Sequence, residues 1–189
     1  MTGSPSRALK AALARRARQV VVNIDYSNAS LTQFVARELA DVIFVDCEQG
    51  DTSIETIPDL VRAAHVENTP ILVRLPDPRP ETIERYMFRG VDGIVVPRLE
   101  RPDEAAAVLD TVRYRYGQAA DEKVVVVQVE SVGASRLIDG FLAVAGVDAL
   151  FVGPVDLARS MGRGGDYRSP VVAEVIETLL SRIVRAGRS

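Results

Sequence analysis

The most regular feature of the chain is a set of short apolar runs rich in valine and isoleucine. Polar and apolar positions do not alternate within them, as they would in strands with one face in solvent. Continuous apolar runs of this kind are typical of parallel strands that are covered on both faces. The six runs are Val20–Asn23, Val42–Asp46, Ile71–Arg74, Gly93–Val96, Val124–Glu130 and Ala149–Gly153. We therefore predict six buried parallel strands.

The segments between these runs show the apolar spacing of helices. The runs begin at residues 20, 42, 71, 93, 124 and 149, which leaves room for one helix between neighbouring strands. Two segments start with proline followed by acidic residues, a signature of a helix N-terminus. The predicted helices are Leu31–Leu39, Ile54–Ala64, Pro80–Phe88, Pro102–Tyr114, Val132–Val144 and Pro170–Ala186.

Alternating strands and helices indicate an α/β fold, either an open doubly wound sheet or a barrel. No GxGxxG motif follows the first run, so the dinucleotide-binding version of the open sheet has no support. Polar or charged residues that can take part in binding or catalysis stand at or just after the carboxyl ends of five runs: Asn23, Asp46, Arg74, Glu130 and Asp156. In a barrel these ends converge on one mouth. Six βα units are fewer than eight, so we predict a TIM (βα)8-type barrel lacking the last one or two βα units, or a fragment of one.

Length and composition narrow the class of protein further. A chain of 189 residues fits one domain, residues 1–189, and its 47% hydrophobic and 26% charged residues indicate a folded state. The net charge of −3 gives no electrostatic basis for binding nucleic acid. One cysteine and one histidine exclude a disulfide framework, a cysteine-based zinc site and a multi-histidine metal site. No apolar run approaches the roughly 20 residues that span a bilayer, so we expect no membrane partner.

Residues 1–19 contain five basic residues and no acidic residue. An arginine-rich, acid-poor segment fits a transit peptide. The alternative is an N-terminal amphipathic helix within 1–19, with Leu9 and Leu13 on one face, that closes the start of the fold. We favour the helix. A secretory signal would need an apolar core that this segment lacks, so a cytoplasmic location is expected.

Arg74 stands at the end of a run that should be buried on both faces. A buried arginine without an anionic partner is costly. One interpretation is an ion pair with Asp46 or Glu48 inside the fold. The other is a bidentate clamp for a carboxylate or enolate oxygen of a substrate. The sequence leaves both interpretations open.

Glu130 and Asp156 follow neighbouring predicted strands and present one carboxylate each. Two carboxylates at adjacent strand ends suit a hard divalent cation, with water and substrate oxygens completing its coordination. The structural alternatives are an N-cap role for Asp156 and a salt bridge from Glu130 to Arg74.

Taken in order, the motifs of this chain resemble the HpcH/HpaI aldolase family, also called the citrate lyase-like or class II pyruvate aldolase group. The block from Gly153 to Ala158 is the most specific of them. The motifs are Asp46–Gly50 (DCEQG), Leu72–Pro76 (LVRLP), Val95–Pro97 (VVP), Gln128–Ser131 (QVES) and Gly153–Ala158 (GPVDLA). The resemblance runs from about residue 8 to residue 187.

This resemblance implies a divalent-metal-dependent carbon–carbon lyase that acts on a small 2-oxo acid through a metal-stabilised pyruvate enolate. It places the metal, Mg²⁺, Mn²⁺ or Co²⁺, on Glu130 and Asp156. It also implies a homo-oligomer. The resemblance gives the remaining roles as follows: Arg74 binds the pyruvyl oxygens, Gln128 lines the pocket, Gly153 and Pro154 receive the substrate carboxylate, and Asp46 and Glu48 are acids of the site.

Position 49 departs from the family. Its aldolases carry a histidine there that serves with an acid as the general base, whereas this chain has Gln49. Glutamine does not transfer protons near neutral pH. We therefore expect weak aldol cleavage and measurable decarboxylation of oxaloacetate, which needs no such base. His65 is expected to be structural, and the segment Tyr116–Lys123 is shorter than the substrate-shaping loop of many family members.

Two other functions stay open at this point. The loss of the histidine and the short loop suit a catalytically degenerate family member that acts as a binding or assembly subunit. A metal-free enzyme that binds phosphate through the segment 163–165 is the third hypothesis, and it rests on a glycine pair that is more typical of a flexible loop.

Overall fold

The computed structural model describes residues 4–189, which form a curled parallel sheet wrapped by helices. The strands within this range are β1 Val21–Asn23, β2 Val42–Asp46, β3 Ile71–Arg74, β4 Gly93–Val96, β5 Val124–Val129 and β6 Ala149–Val152. The helices are α1 Pro5–Ala14, α2 Ala29–Glu38, α3 Ile57–Val66, α4 Pro80–Met87, α5 Pro102–Tyr116, α6 Val132–Arg136, α7 Ile138–Ala143, α8 Pro154–Ser160 and α9 Pro170–Arg185. A 3₁₀ helix, Gly117–Glu122, precedes β5. Each predicted run contains one strand, and the bounds agree to within one residue.

The six strands lie side by side in the order of the sequence, and every neighbouring pair is parallel. Each strand is therefore joined to the next by a crossover over the same face, and the sheet curls into part of a barrel. All carboxyl ends of the strands lie at one edge of the curl. Asp46 pairs directly with Arg74 in the register of β2 and β3 at that edge.

The two faces of the sheet are buried by different partners. The outer face packs against the helices in a large apolar core that includes Ile43, Val73 and Val127. The inner face forms a second, smaller cluster. Its buried members are Leu9, Val42, Leu72, Val95, Val124 and Val126. Successive side chains of a strand point alternately to the inner and the outer face, and both faces are buried. The runs therefore show no alternation of polar and apolar residues, as expected for strands covered on both sides.

Helix α1 covers the amino-terminal end of the inner face. Leu9 is buried in the inner cluster, and the ammonium group of Lys10 donates to the Lys123 carbonyl at 2.7 Å and to Asp148. Ser4 caps the helix by accepting a hydrogen bond from the Arg7 amide. Helix α1 lies within the segment 1–19 for which an amphipathic helix was predicted, and residues 1–3 of that prediction lie outside the described part of the chain.

Three local predictions differ from the structure. The segment predicted as one helix over Val132–Val144 is two short helices that meet at Leu137, where the cap residue leaves helical geometry. Helix α8 was not predicted, because its start follows a strand with no polar linker between them. Strand β1 is short and half-exposed because it lies at an edge of the sheet, so its burial pattern departs from that of the inner strands.

In the part of the chain that the structure describes, no helix combines the length and the apolar character needed to cross a bilayer.

Candidate active site

The carboxyl edge of the sheet changes from apolar to charged at the ends of β2 and β3. The Nε and Nη2 atoms of Arg74 donate to the two carboxylate oxygens of Asp46, the former at 2.9 Å. Both side chains are nearly buried, with exposed fractions of 11% and 13%. The ion-pair interpretation of Arg74 is therefore correct. The Arg74 guanidinium has five N–H donors, and those that do not bond to Asp46 stay available to a ligand.

Glu48 lies in the loop after β2 between two arginines. Its carboxylate is 3.1 Å from Arg74 Nη1 and accepts a hydrogen bond of 2.7 Å from Arg98 Nε. The side chain is only 3% exposed, and its Oε2 atom accepts no hydrogen bond of good geometry from any residue that the structure describes. The Asp46 carboxylate holds the start of this loop by accepting the amides of Glu48 and Gln49.

Gln128 and Glu130 lie two residues apart on the inward side of β5 and just beyond it. The Gln128 amide nitrogen donates to Glu130 Oε2, and the Arg98 backbone amide donates to Glu130 Oε1 at 2.7 Å. Both side chains are buried. Gln128 Oε1 is buried without a hydrogen-bond partner among the described residues. The suggested salt bridge from Glu130 to Arg74 is not among the ion pairs of residues 4–189.

Gly153 permits the end of β6 to approach this pair. A Cβ atom added there would lie 2.8 Å from Gln128 Nε2 and 2.9 Å from Glu130 Cβ, closer than carbon atoms normally pack. The Gly153 amide donates to the Val129 carbonyl at 3.0 Å, so this amide is already used within the sheet. Pro154 then starts α8 and has no amide hydrogen to offer.

Asp156 lies in the first turn of α8, whose N-cap is Gly153. The alternative that Asp156 is the N-cap is therefore wrong. Its carboxylate accepts a hydrogen bond of 2.7 Å from Arg159 Nη1 and a longer one, 3.4 Å, from Gln49 Nε2. The loop after β2 and the loop after β6 meet at this contact.

The charges of the site act on one another. Burial raises the pKa of Asp46, but the hydrogen bonds from Arg74 and from two backbone amides outweigh it, and the pKa lies below its usual value. The pKa of Glu130 is raised, first by burial and then by the negative charges of Glu48 and Asp156. The Arg98 amide and the charge of Arg74 counteract that increase only in part. Glu130 thus lies where negative charge is in excess.

The donor atoms fit a divalent cation held by two carboxylates. Within residues 4–189 no three histidine, cysteine, aspartate or glutamate side chains are grouped closely enough to form a metal site alone. Mg²⁺ and similar ions commonly use one or two carboxylates and take their other ligands from water and substrate. Glu130 and Asp156 would supply these two, and Gln128, whose amide nitrogen contacts Glu130, has a further hard oxygen without a partner among the described residues. The fit is one of donor chemistry and charge.

A cavity of about 480 Å³ opens along the inner face of the curl. Asp46 and Arg74 lie in its wall, and most of the remaining wall is apolar. Phe44 and Phe151 both line the cavity, and their rings pack edge to face with 6.3 Å between the ring centres. A small molecule that reaches Arg74 therefore has apolar surface on one side and charged groups on the other.

His65 and Asn23 are two further polar residues considered in the sequence. His65 Nε2 is 2.8 Å from Asp92 Oδ2, and Asp92 also accepts the Ile71 amide, the first of β3. His65 is therefore at the opposite end of the sheet and is structural, as expected. Asn23 lines the same cavity as Asp46 and Arg74, and its side-chain amide donates to Asp25 at 3.0 Å.

The structure brings together every predicted site residue: Arg74, Asp46, Glu48, Gln49, Gln128, Glu130, Gly153, Pro154 and Asp156. Sequence reasoning missed Arg98, which contacts both Glu48 and Glu130. The available signal was its place directly after β4 and Pro97, at the same edge as the other polar residues.

The chain matches the model of a known protein family. The model of a family described as HpcH/HpaI aldolase/citrate lyase covers residues 19–189. The matched range contains all six strands and every residue of the candidate site.

Curated relatives and solved structures agree with this match. The chain is 28% identical to a hydroxypyruvate/pyruvate aldolase of Roseovarius nubinhibens. The alignment is 209 residues long and covers 98% of the chain and 81% of the relative. It is 28% identical to a 4-hydroxy-2-oxovalerate aldolase of Rhodococcus jostii, with the same coverage. The crystal structure of an HpcH/HpaI aldolase/citrate lyase family protein from Burkholderia cenocepacia superposes with a TM-score of 0.87 at 25% identity, covering 96% of this chain and 82% of that one.

Proposed function

Because the chain belongs to the HpcH/HpaI aldolase/citrate lyase family, we propose that it is a divalent-metal-dependent carbon–carbon lyase acting on a small 2-oxo acid. The observation that carries the proposal is the meeting of Glu130, Asp156 and Arg74 at one edge of the sheet. Two of its relatives, a hydroxypyruvate/pyruvate aldolase and a 4-hydroxy-2-oxovalerate aldolase, support the substrate class.

Glu130 and Asp156 would hold the metal ion, Mg²⁺, Mn²⁺ or Co²⁺. When bound there, such an ion would polarise the carbonyl of a 2-oxo acid and stabilise the negative charge that develops on its oxygen as a carbon–carbon bond breaks. The four acids Asp46, Glu48, Glu130 and Asp156 are contacted by three arginines, so the site carries one formal negative charge in excess. That excess favours a cation.

Arg74 would bind the oxygens of the pyruvyl group. Asp46 fixes its guanidinium by a two-point contact, and Glu48 lies beside its Nη1 atom. A fork held in this way is already oriented before a ligand arrives, which lowers the entropic cost of binding. Gln128, with its free carbonyl oxygen, would accept a hydrogen bond from the same ligand or a water molecule.

Gln49 decides which bond breaks most readily. Retro-aldol cleavage requires a base that takes the proton of the leaving hydroxyl, and an amide does not perform this at neutral pH. Decarboxylation releases CO₂ and needs no such proton transfer. We therefore propose that the site favours decarboxylation of a substrate such as oxaloacetate and cleaves aldols slowly.

The absence of an imidazole beside Asp156 also favours a second candidate, a catalytically degenerate subunit with a binding or assembly role. Its expected behaviour differs in one respect. It would bind neither metal nor oxo acid in the manner described above.

The strand arrangement supports a (βα)8-type barrel as the fold. Six sequential parallel strands that curl about an apolar interior are three quarters of such a barrel, and two more would separate β6 from β1. Among residues 4–189 neither β1 nor β6 has a strand on its outer side, although the Leu150 amide of β6 donates to the Ser189 carbonyl at 2.8 Å. A homo-oligomer that protects these edges is part of the proposal. Size-exclusion chromatography with light scattering measures the oligomeric state.

Titration calorimetry tests the proposal. The chain is titrated with Mn²⁺ in the presence and absence of oxalate, a mimic of the pyruvate enolate, and Glu130→Gln is compared with Glu177→Gln on the exposed side of α9. We expect binding that oxalate strengthens, that Glu130→Gln abolishes and that Glu177→Gln leaves unchanged. A folded chain that binds neither Mn²⁺ nor oxalate would favour the degenerate subunit.

A further inference from the structure

Arg98 adopts a backbone conformation that arginine rarely takes. Its φ angle is 61°, in the left-handed region, and among residues 4–189 only Arg16 and Asn68 share this property outside the glycines. Such a conformation costs on the order of 1 kcal/mol for a residue with a Cβ atom. Pro97 and Leu99 on either side are buried, so the surrounding fold holds the strained residue in place.

The strained backbone places one hydrogen-bond donor in the site. The Arg98 amide points at Glu130 Oε1 with a donor–acceptor distance of 2.7 Å. The other oxygen, Oε2, receives the Gln128 side-chain amide. Each carboxylate oxygen of Glu130 therefore has one protein donor, and each keeps a lone pair for another ligand.

The side chain of Arg98 secures the same turn from the other direction. Its Nε atom donates to Glu48 Oε1 at 2.7 Å, although 63% of the side chain is exposed to solvent. Glu48 in turn is nearly buried and lies against Arg74. Arg98 therefore links the turn after β4 to two other segments. Its guanidinium contacts the loop after β2, and its backbone amide contacts the end of β5.

We infer that Arg98 is a positioning residue for the metal ligand Glu130, and that the left-handed backbone at this position is what allows it to act. The inference rests on the proposed function, because it assumes that Glu130 binds the metal. A main-chain donor has no side-chain rotamers to order, so it fixes the carboxylate more firmly than a long side chain does. Position 98 therefore requires a residue that tolerates a positive φ.

Two substitutions separate the backbone role from the loss of the guanidinium. Arg98→Asn and Arg98→Thr both remove the positive charge and the contact with Glu48. Asparagine enters the left-handed region readily, whereas the β-branched threonine does not. Arg98→Gly is a third variant that tolerates the conformation without a side chain.

The experiment measures Mn²⁺ affinity by calorimetry for these variants and the unaltered chain, with far-UV circular dichroism and thermal melts to establish that each is folded. We expect Arg98→Asn and Arg98→Gly to bind Mn²⁺ alike and Arg98→Thr to bind about fivefold to tenfold more weakly than either.

Equal affinities of folded Arg98→Asn and Arg98→Thr would overturn the positioning role. If Arg98→Thr does not fold, backbone amide exchange measured by NMR in the unaltered chain decides the matter. The Arg98 amide should be protected, and its resonance should shift when Mg²⁺ is added. An unprotected, unresponsive amide in a chain that binds Mg²⁺ refutes the inference, whereas a chain that binds no metal refutes the proposed function instead.

Discussion

Gln49 Nε2 lies 3.4 Å from Asp156 Oδ2, across the mouth of the curled sheet. The two residues belong to the loop after β2 and the first turn of α8, which are far apart in sequence. An amide at this place donates a hydrogen bond to the carboxylate, but it does not act as an acid or a base near neutral pH. The contact therefore links the residue that departs from the family to a proposed metal ligand.

Replacing Gln49 with histidine should restore proton transfer at this position. General base catalysis typically contributes about 10²- to 10⁴-fold, so we expect Gln49→His to raise aldol cleavage at least about tenfold. Decarboxylation of oxaloacetate should change by no more than a few fold. Gln49→Asn is the control, since it keeps an amide. Steady-state assays with Mn²⁺ measure both reactions, and unchanged aldol cleavage in Gln49→His contradicts the role given to this position.

Arg74 and Arg79 offer a matched pair for measuring the effect of burial. Each donates to both carboxylate oxygens of an aspartate through Nε and Nη2. The side chain of Arg74 is 11% exposed, whereas that of Arg79 is 73% exposed. Lysine cannot make the two-point contact. We expect Arg74→Lys to lower the free energy of unfolding by about 1 to 3 kcal/mol and Arg79→Lys by less than about 1 kcal/mol.

Arg74→Lys should also weaken oxalate binding at least about tenfold, because the fork that meets the ligand is lost. Urea denaturation measures the stability difference and calorimetry the binding. Equal loss of stability in the two variants would show that burial of Arg74 has no energetic consequence.

Gly153 should tolerate no side chain. Gly153→Ala brings a Cβ atom into Gln128 and Glu130, and overpacking of this kind typically costs about 1 to 3 kcal/mol. We expect Mn²⁺ affinity to fall as the Glu130 carboxylate is displaced. Because Gly153 is also the N-cap of α8, Gly153→Ser is the control: serine is a good cap but carries the same Cβ atom. Recovery of stability and affinity in Gly153→Ser would assign the effect to capping.

Cys47 should react slowly with alkylating reagents. Burial raises the pKa of its thiol from 9.0 to about 11, and only the thiolate is a good nucleophile. At pH 8 the thiolate fraction in the folded chain is about a hundredfold smaller than in the unfolded chain. We expect the iodoacetamide rate, followed by mass spectrometry, to be at least that much lower than in urea. Since this is the only cysteine, the product is unambiguous.

The same shift affects stability in alkali. The folded state favours the neutral thiol, so its contribution is complete below pH 9 and is lost as the pH rises through about 11. Cys47→Ala should remove that part of the pH dependence. Identical alkylation rates in the folded and unfolded chain would contradict both statements.

The sheet was predictable from the sequence because burial on both faces leaves a direct trace in the residues. Val124–Val129, for example, is apolar at every position but Gln128, and it is a fully buried strand. The break at Leu137 was not predictable, since the apolar spacing of Val132–Val144 continues through it. The boundary depends on how two short helices pack, which local periodicity does not encode.

The site was predictable for those residues that lie at the end of a strand or directly after it. Asp46, Arg74 and Glu130 could be placed at one edge from topology alone. The role of Arg98 could not be predicted, because it depends on a positive φ angle and an arginine in the sequence does not indicate one. The pairing of Gln49 with Asp156 likewise depends on two loops whose approach is set by the curl of the sheet.

The sequential order of the strands has a consequence for how the chain folds. Every strand pair joins neighbours along the chain, such as Val22 with Ile43 and Val127 with Leu150, so each pairing closes only a short loop. Helix α1 is the exception, because Lys10 contacts Lys123 and Asp148, more than 100 residues away. These contacts of α1 can form only after β5 and the segment before β6 are in place, so we expect the docking of α1 on the inner face to be a late event in folding.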